Sequence, residues 1–201
     1  MSFTITDLVA AVQRAQAAMP VLEDELNRAD SRLGDGDTGG MLARVIGSLA
    51  AADVAAAPDL GAAFALYAKA ASSATGSSLG TLFMTALMSF SRATKGKGEL
   101  PLSEFGAILL IARDDMLKRG QSALGDKTVI DAVDAVGAAL AGLDSRPELQ
   151  QAARAAATEV LDRFRGELNK VGRARMFGEQ SRGTDDPGML AFARLVDIVS
   201  G

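Results

Sequence analysis

The sequence contains no cysteine and no histidine among its 201 residues. Without cysteine there can be no disulfide and no thiolate metal ligand. Without histidine this chain has no Ser-His-Asp triad, no imidazole zinc site and no histidine phosphocarrier role. Carboxylates are therefore its only strong metal ligands, and carboxylate oxygens favour hard cations such as Mg2+.

Aromatic residues make up only 4% of the chain, with no tryptophan, whereas hydrophobic residues make up 48%. The core must then consist mainly of Ala, Leu, Val and Met, and small residues suit closely packed helices. The net charge of -4 argues against a nucleic-acid partner and against an anionic membrane surface. No apolar run reaches the ~20 residues that span a bilayer, and no signal-peptide pattern is present. We therefore expect a cytoplasmic protein.

Apolar residues recur at helical spacing throughout the chain, without a convincing alternating strand. The pattern predicts one all-α domain over residues 1–201, with about eight antiparallel helices in a bundle or closed barrel. The predicted helices cover about 4–18, 20–32, 39–55, 59–73, 76–94, 103–120, 128–142, 146–168 and 188–199. Candidate capping residues mark several of these starts: Asp59, Ser103, Thr128 with Asp131, and Ser145 before Pro147. Glycine-rich loops between the helices favour a site at one end.

Residues 27–40 gather three acids and four glycines where a helical pattern breaks. Asp35 and Asp37 lie two residues apart in an extended turn, so their side chains point the same way. Gly34 is the expected left-handed residue that ends the preceding helix, and a bend there brings Asp30 towards the other two acids. The acids predict a Mg2+ site, and the bare backbone opening the next helix predicts a cradle for metal-bound phosphate.

Two other interpretations of this run exist. The acids of a solvated turn would bind nothing, and Thr38 would then only cap the following helix. An EF-hand fits less well, because the twelfth position counted from Asp35 is Ile46 rather than a bidentate glutamate.

Two further loops contain candidate phosphate ligands. In residues 74–81, Thr75 and Gly76 open an apolar helix whose first N–H groups suit an anion, although such residues also serve simply as caps. Residues 172–188 form a long loop with three arginines, which offer cationic contacts for phosphate. This loop ends in a turn at residues 186–188 that begins the last helix.

The loop of residues 120–128 superficially resembles a P-loop. It fails the spacing rule, because Asp126 separates Gly125 from Lys127 and no strand precedes the loop. Lys127 is then a solvated charge, a phosphate ligand or a structural ion-pair partner.

In combination, these loops resemble those of the nucleotide-binding L subunit of dihydroxyacetone kinase, which also occurs as the C-terminal domain of single-chain kinases. The resemblance covers essentially the whole chain. The matching elements are, in family order, residues 34–37, 75–76, 125–128, 172–174 and 186–188. The resemblance implies an eight-helix antiparallel barrel with a nucleotide at its glycine-rich rim.

The resemblance also implies ligand residues. It assigns Asp30, Asp35 and Asp37 to two Mg2+ ions that bridge the phosphates of ADP or ATP. Arg173 becomes the candidate catalytic residue beside those phosphates. Residues implied around the nucleotide are Thr38, Gly39, Gly40, Met41, Ala74, Thr75, Gly76, Arg173, Asp186, Pro187 and Gly188, with Gly120 and Val129 near the base. Two divalent ions against three carboxylates leave a net positive charge to face a polyphosphate.

The chain departs from the family pattern at Thr38 and Thr184, where the family commonly has histidine. Thr38 can still cap a helix and donate to phosphate, so nucleotide binding is expected to survive. The Asp-Gly-Asp-Thr-Gly run also resembles the nucleotide domain of fatty acid kinases. The elements at residues 125–128 and 186–188 favour the dihydroxyacetone kinase type.

The favoured function is that of a Mg2+-dependent phosphotransferase subunit. A separate K-type subunit would hold dihydroxyacetone or a related short keto-sugar, because this chain offers no obvious carbonyl-capturing nucleophile and no histidine. The phosphate would come from exchanging ATP, or from a phosphotransferase-system protein that rephosphorylates bound ADP. The alternatives are a fatty acid kinase-like nucleotide domain and a non-catalytic nucleotide-binding regulatory module. Neither nucleic acid nor membrane is an expected partner.

Overall fold

The computed structural model describes residues 1–201, most of which form eight α-helices. These are α1 (Ile5–Asp30), α2 (Thr38–Ala51), α3 (Leu60–Ala74), α4 (Ser78–Ala93), α5 (Phe105–Gly120), α6 (Val129–Ala139), α7 (Arg146–Arg165) and α8 (Pro187–Val199). Two short strands, β1 (Ser2–Thr4) and β2 (Glu99–Pro101), and two 3-10 segments, Leu102–Glu104 and Ala174–Ser181, complete the secondary structure.

The eight helices form a closed ring. Each helix packs against the next one in the chain, and α8 packs against α1. The prediction of an all-α antiparallel barrel is therefore confirmed. In such a ring the loops α1–α2, α3–α4, α5–α6 and α7–α8 lie at one end, which we call the rim.

Helix α1 is a single helix, so the predicted break before Pro20 is wrong. Proline inside a helix removes one hydrogen bond and costs ~3 kcal/mol or more. Here the buried residues Ala15, Met19, Leu22 and Leu26 continue one apolar stripe at helical spacing across the proline. Burial of this stripe offsets the local cost and keeps the helix continuous.

The absence of strands was also a wrong expectation. Strands β1 and β2 pair antiparallel, with Phe3 opposite Leu100. The Phe3 ring packs edge-on against Phe105, with the ring centroids 5.1 Å apart. Three residues are too few for an alternating pattern to emerge from the sequence, so this ribbon had no periodic signal.

Most of the predicted caps are present. Thr128 forms a capping box with Asp131, Ser145 accepts from Glu148 N–H, and Asp59 accepts from Ala62 N–H. Ser103 does not cap α5, because it lies within the 3-10 turn that precedes that helix. This 3-10 turn accepts a backbone N–H group at the start of α5 that a capping side chain would otherwise accept.

The inside of the ring contains an apolar cavity of about 420 Å³. Its walls are mainly hydrophobic side chains from the inner helix faces, and the predicted metal ligands Asp30, Asp35 and Asp37 are not among them. The predicted metal site therefore lies outside this cavity. No helix combines the length and apolar character that crossing a membrane requires.

Candidate functional site

The rim brings together the four loops that the sequence singled out. A Cβ placed on Gly188, at the start of α8, would lie 3.4 Å from Leu79 Cδ1 of α4 and 3.5 Å from Val129 Cβ of α6. An ion pair between Arg173 and Asp35 joins the α7–α8 loop to the α1–α2 loop. These contacts connect all the helix starts on which the predicted ligands lie.

The carboxylates of Asp30, Asp35 and Asp37 form a cluster, which we call the acid cluster. One oxygen from each lies within 4.8 Å of the others. Asp30 is buried, whereas Asp35 and Asp37 are exposed. The predicted convergence of the three acids is thus present, and it provides a donor set of hard oxygens on one side of the rim.

The bend that creates this cluster differs in detail from the expectation. Helix α1 ends at Asp30, and its capping residue Ser31 keeps right-handed helical angles. The positive φ belongs to Gly36, at 77°, and not to Gly34. Gly34 has a steric role, because a Cβ there would lie 2.3 Å from Asp30 Oδ1. Only glycine lets the turn pass this close to the buried carboxylate.

The start of α2 is not the bare backbone that the sequence suggested. Asp30 Oδ2 accepts the N–H groups of Asp37 at 2.9 Å and Thr38 at 3.1 Å. Asn27 Oδ1 accepts those of Gly39 at 2.8 Å and Gly40 at 3.2 Å. These N–H groups are therefore occupied by side chains of α1 and are not free for phosphate.

Two consequences follow for the acids. Asp37, not Thr38, is the N-terminal capping residue of α2, and Thr38 is the first residue of that helix. Asp30 binds the backbone through Oδ2 and keeps Oδ1 for another partner. Asn27, whose side-chain amide oxygen caps α2, was not predicted from the sequence as a site residue. No spacing rule marks an amide that caps a helix other than its own.

The electrostatics of the acid cluster favour a cation. The hydrogen bond and charge of Arg173 hold the pKa of Asp35 below its usual value. Partial burial raises the pKa of Asp37, and the negative charges of Asp35 and Asp30 raise it further. The cluster thus has more negative charge than one guanidinium relieves, which fits a hard divalent cation among these oxygens.

The start of α4 offers open backbone donors. Ser77 caps the helix by accepting from Gly80 N–H at 3.0 Å, and Thr75 Oγ1 accepts from Ser77 N–H at 3.1 Å. The N–H groups of Gly76, Ser78 and Leu79 donate to no other group of the chain. This helix start therefore has both a cap and unused donors, whereas that of α2 has none to spare.

Lys127 is neither solvated nor placed to meet phosphate. It is 1% exposed and has a positive φ of 60°. Its Nζ donates to the carbonyl oxygens of Ser181 at 2.7 Å and Glu167 at 2.8 Å. Burial lowers the pKa of the Lys127 ammonium, although nearby acids including Asp186 oppose this shift. Lys127 is therefore structural, but the predicted ion pair is wrong, because its acceptors are backbone carbonyl oxygens rather than a carboxylate.

Asp186 caps α8 and lies beside this lysine. Its Oδ1 accepts from Met189 N–H at 2.9 Å, and its Oδ2 accepts from Asn169 Nδ2 at 2.8 Å. Pro187 occupies the first turn of α8, where the missing N–H costs nothing. Burial raises the pKa of Asp186 to about 6, although these hydrogen bonds favour the ionised form.

This shift predicts how Asp186 affects stability with pH. Its pKa is about 6 in the folded chain and 3.8 ordinarily, so the folded state binds more protons between those values. The free energy of unfolding that Asp186 contributes therefore falls as the pH rises through this window. We expect wild type to lose about 1–2 kcal/mol relative to Asp186→Asn between about pH 4 and pH 7, with the partial exposure of the residue allowed for. Urea unfolding across this range measures the difference, and a constant difference would contradict the raised pKa.

The remaining predicted residues divide between rim and interior. Ala74 ends α3 and Gly120 ends α5, at the rim; Gly120 is exposed. Met41 and Val129 are buried and line the apolar cavity. The predicted contacts of Met41 and Val129 with a nucleotide would therefore have to come from the cavity side or from their backbone.

The chain matches proteins of known family. The sequence profile of the DAK2 domain family matches residues 32–201, a range that begins just after Asp30. An L-erythrulose 1-kinase of Mycolicibacterium smegmatis is 34% identical over 199 residues, which cover 94% of this chain and 34% of that protein. An L-erythrulose kinase of Pectobacterium atrosepticum is 30% identical over 203 residues, which cover 96% of this chain and 34% of that protein. This chain thus spans about a third of the length of these two relatives.

A shorter relative matches over most of its own length. It is the ADP-binding subunit DhaL of a PEP-dependent dihydroxyacetone kinase of Listeria innocua, 29% identical over 184 residues. The match covers 91% of this chain and 87% of that subunit. It therefore resembles this chain in size as well as in sequence.

The fold also matches solved structures. The dihydroxyacetone kinase of C. freundii in its native form superposes with a TM-score of 0.73 at 26% identity, over 96% of this chain and 33% of that one. A structure of dihydroxyacetone kinase from C. freundii in complex with AMP-PNP and Mg2+ gives a TM-score of 0.73 at 22% identity, over 100% of this chain and 34% of that one. At that identity the second likeness shows the fold alone.

Proposed function

This chain belongs to the DAK2 domain family, and from that membership we propose that it is the nucleotide-binding, Mg2+-dependent phosphotransferase subunit of a kinase for dihydroxyacetone or a related short keto-sugar. The observation that carries the proposal is the acid cluster of Asp30, Asp35 and Asp37, which lies on the same rim as the open N–H groups of α4. The names of the relatives, erythrulose kinases and an ADP-binding subunit, support the choice of substrate and nucleotide.

Each part of the rim has a separate task in this proposal. Asp30, through its free Oδ1, and Asp35 and Asp37 would hold the metal, proposed as two Mg2+ ions. Bound Mg2+ supplies positive charge that neutralises the phosphates during transfer. The N–H groups of Gly76, Ser78 and Leu79 would receive phosphate oxygens at the positive end of the α4 dipole. Phosphoryl transfer then depends mainly on positioning and charge neutralisation, which this rim provides.

Arg173 would change partner when nucleotide arrives. In this structure its guanidinium pairs with Asp35, and both side chains are about half exposed. Metal bound to Asp35 would compete for that carboxylate and leave the guanidinium free to pair with phosphate oxygens. The same residue would then serve as a counter-ion of Asp35 before the metal binds and as a phosphate ligand afterwards.

The first experiment is calorimetric titration of the chain with ADP, in the presence of Mg2+ and of a chelator. We expect binding with Mg2+, and binding weakened by at least about a hundredfold without it, because bare carboxylates repel phosphate. Equal ADP affinity in both conditions would argue against a metal-bridged site. An absence of ADP binding in both would remove the proposed function.

Replacing Arg173 by lysine keeps the charge but removes the planar fork that can bind two phosphate oxygens at once. We expect Arg173→Lys to lower the rate of phosphoryl transfer by at least about tenfold with the helical content unchanged. Arg175→Lys is the matched control, because Arg175 lies in the same loop two residues further on, is exposed, and does not pair with the acid cluster. An equal loss in both variants would mean that the loop, rather than the Arg173 fork, is responsible. Arg165 would be a poor control, because it pairs with Asp162 and Asp185.

A further inference from the structure

Residues 166–186 run between α7 and α8 with only a 3-10 segment as regular structure. The loop closes on itself, since Gly183 N–H donates to Arg165 O at 2.8 Å and Arg182 Nη1 donates to Gly166 O at 2.7 Å. Arg173 lies within this closed loop and contacts the acid cluster from there. A defined position of the Arg173 guanidinium therefore requires contacts that fix the loop relative to the barrel.

The buried ammonium of Lys127 is the central anchor. It reaches the loop from the start of α6 and binds carbonyl oxygens on both sides of Arg173, namely Glu167 before it and Ser181 after it. A buried lysine is costly unless its charge is satisfied by well-placed acceptors. Here the acceptors belong to the loop, so the ammonium is satisfied only while both loop ends remain in place.

Asn169 is the second anchor. Its Nδ2 donates to Lys127 O at 2.9 Å and to Asp186 Oδ2 at 2.8 Å, and its N–H donates to Ser181 Oγ at 3.1 Å. Asn169 thus links the start of α6, the loop and the residue that caps α8. We call Lys127, Asn169 and Ser181 the lysine hub; all three are buried.

We propose that Lys127 and Asn169 are positioning residues that hold Arg173 and Asp186 in their places at the nucleotide rim. The expected effect on nucleotide affinity rests on the proposed function. The fixing of the loop by these two residues does not. The hub does not touch the acid loop, which Asp30 and Asn27 hold independently. Loss of the hub should therefore weaken nucleotide binding without weakening the binding of Mg2+ alone.

The test uses Lys127→Met and Asn169→Ala in the full chain, with circular dichroism to confirm the helical content. Asn169→Ala keeps the buried ammonium and its acceptors, so it decides the question if Lys127→Met does not fold. Binding of Mg-ADP is measured by calorimetry, and loop fixation by the rate of trypsin cleavage after Arg173 and Arg175. We expect Mg-ADP affinity to fall about tenfold or more and cleavage to accelerate about tenfold, while the affinity for Mg2+ alone falls by no more than about twofold.

Lys170→Met is the matched control. Lys170 joins the same two loops from the surface, where its exposed Nζ donates to Gly125 O at 2.8 Å. We expect this variant to stay within about twofold of wild type in both measurements, because an exposed contact contributes little.

The outcomes separate the inference from the proposed function. Folded variants with wild-type Mg-ADP affinity overturn the positioning role, whether or not trypsin cleavage accelerates. Variants that lose Mg2+ and Mg-ADP binding together also overturn it, since the damage would then be general. If the wild-type chain itself binds no Mg-ADP, the proposed function fails, and the cleavage rates alone decide whether the hub holds the loop.

Discussion

Asp35→Asn and Asp37→Asn are each expected to reduce Mg2+-dependent ADP binding by at least about a hundredfold while leaving the helical content unchanged. Either change removes a full charge and a strong ligand from a cluster whose three carboxylate oxygens lie within 4.8 Å of one another. Both side chains are exposed at the rim, outside the apolar core, so folding does not depend on them. Calorimetric titration of each variant with Mg-ADP measures the effect.

The thermal midpoint of Asp37→Asn should equal or slightly exceed that of wild type. The pKa of Asp37 is raised by partial burial and by the negative charges of Asp35 and Asp30, which means that its ionised form is disfavoured when no cation neutralises them. Neutralising it relieves that repulsion. A lowered midpoint would mean that Asp37 has a structural role that its hydrogen bonds do not reveal.

Asp24→Asn provides the control for both variants. Asp24 is an exposed acid on α1, the helix that ends at Asp30, but it is not part of the acid cluster. Its removal changes the net charge by the same amount and should leave Mg-ADP affinity within about twofold. Undiminished affinity in Asp35→Asn and Asp37→Asn would exclude the metal site at this position.

The sequence predicted the acid cluster because the relevant information was local. Two acids two residues apart, a glycine-rich turn and a third acid at the preceding helix end are enough to bring carboxylates together. The common rim was predictable for a similar reason, since an antiparallel ring of helices places alternate loops at one end. The continuity of α1 through Pro20 was also predictable from local information, because the apolar stripe from Ala15 to Leu26 continues at helical spacing across the proline.

The hydrogen-bond partners of the rim were not predictable in this way. Asn27 caps a helix that begins eleven residues later, and Lys127 donates to carbonyl oxygens 40 and 54 residues further along the chain. Such contacts depend on how the helices pack, and no periodicity in the sequence encodes them. Lys127 shows the difference most clearly, because a lysine beside glycine and aspartate has the composition of an exposed loop, yet the residue is buried.

The largest expected effect concerns catalysis by mixtures. We expect the purified chain alone to transfer no phosphate from ATP to dihydroxyacetone or erythrulose, and a mixture with a K-type substrate subunit to be at least about a thousandfold more active. The acid cluster and the α4 start lie at an open rim, where water would compete with the sugar as the acceptor. The erythrulose kinases that match this chain are about three times its length, so about two thirds of each relative lies outside the matched region.

The mixing experiment uses the K-type subunit encoded beside this chain where one exists. One arm supplies ATP, and the other supplies phosphoenolpyruvate with the phosphotransferase-system proteins. ATP as the donor requires the bound nucleotide to exchange, whereas the phosphotransferase-system proteins require ADP to stay bound. Activity in the first arm alone would identify exchanging ATP as the donor; activity in the second alone would identify rephosphorylation of bound ADP. Turnover by the isolated chain would contradict the need for a partner. Mg-ADP binding without activity in either arm, and without complex formation, would instead favour the non-catalytic nucleotide-binding module, since the rim would then bind its ligand without presenting an acceptor to it.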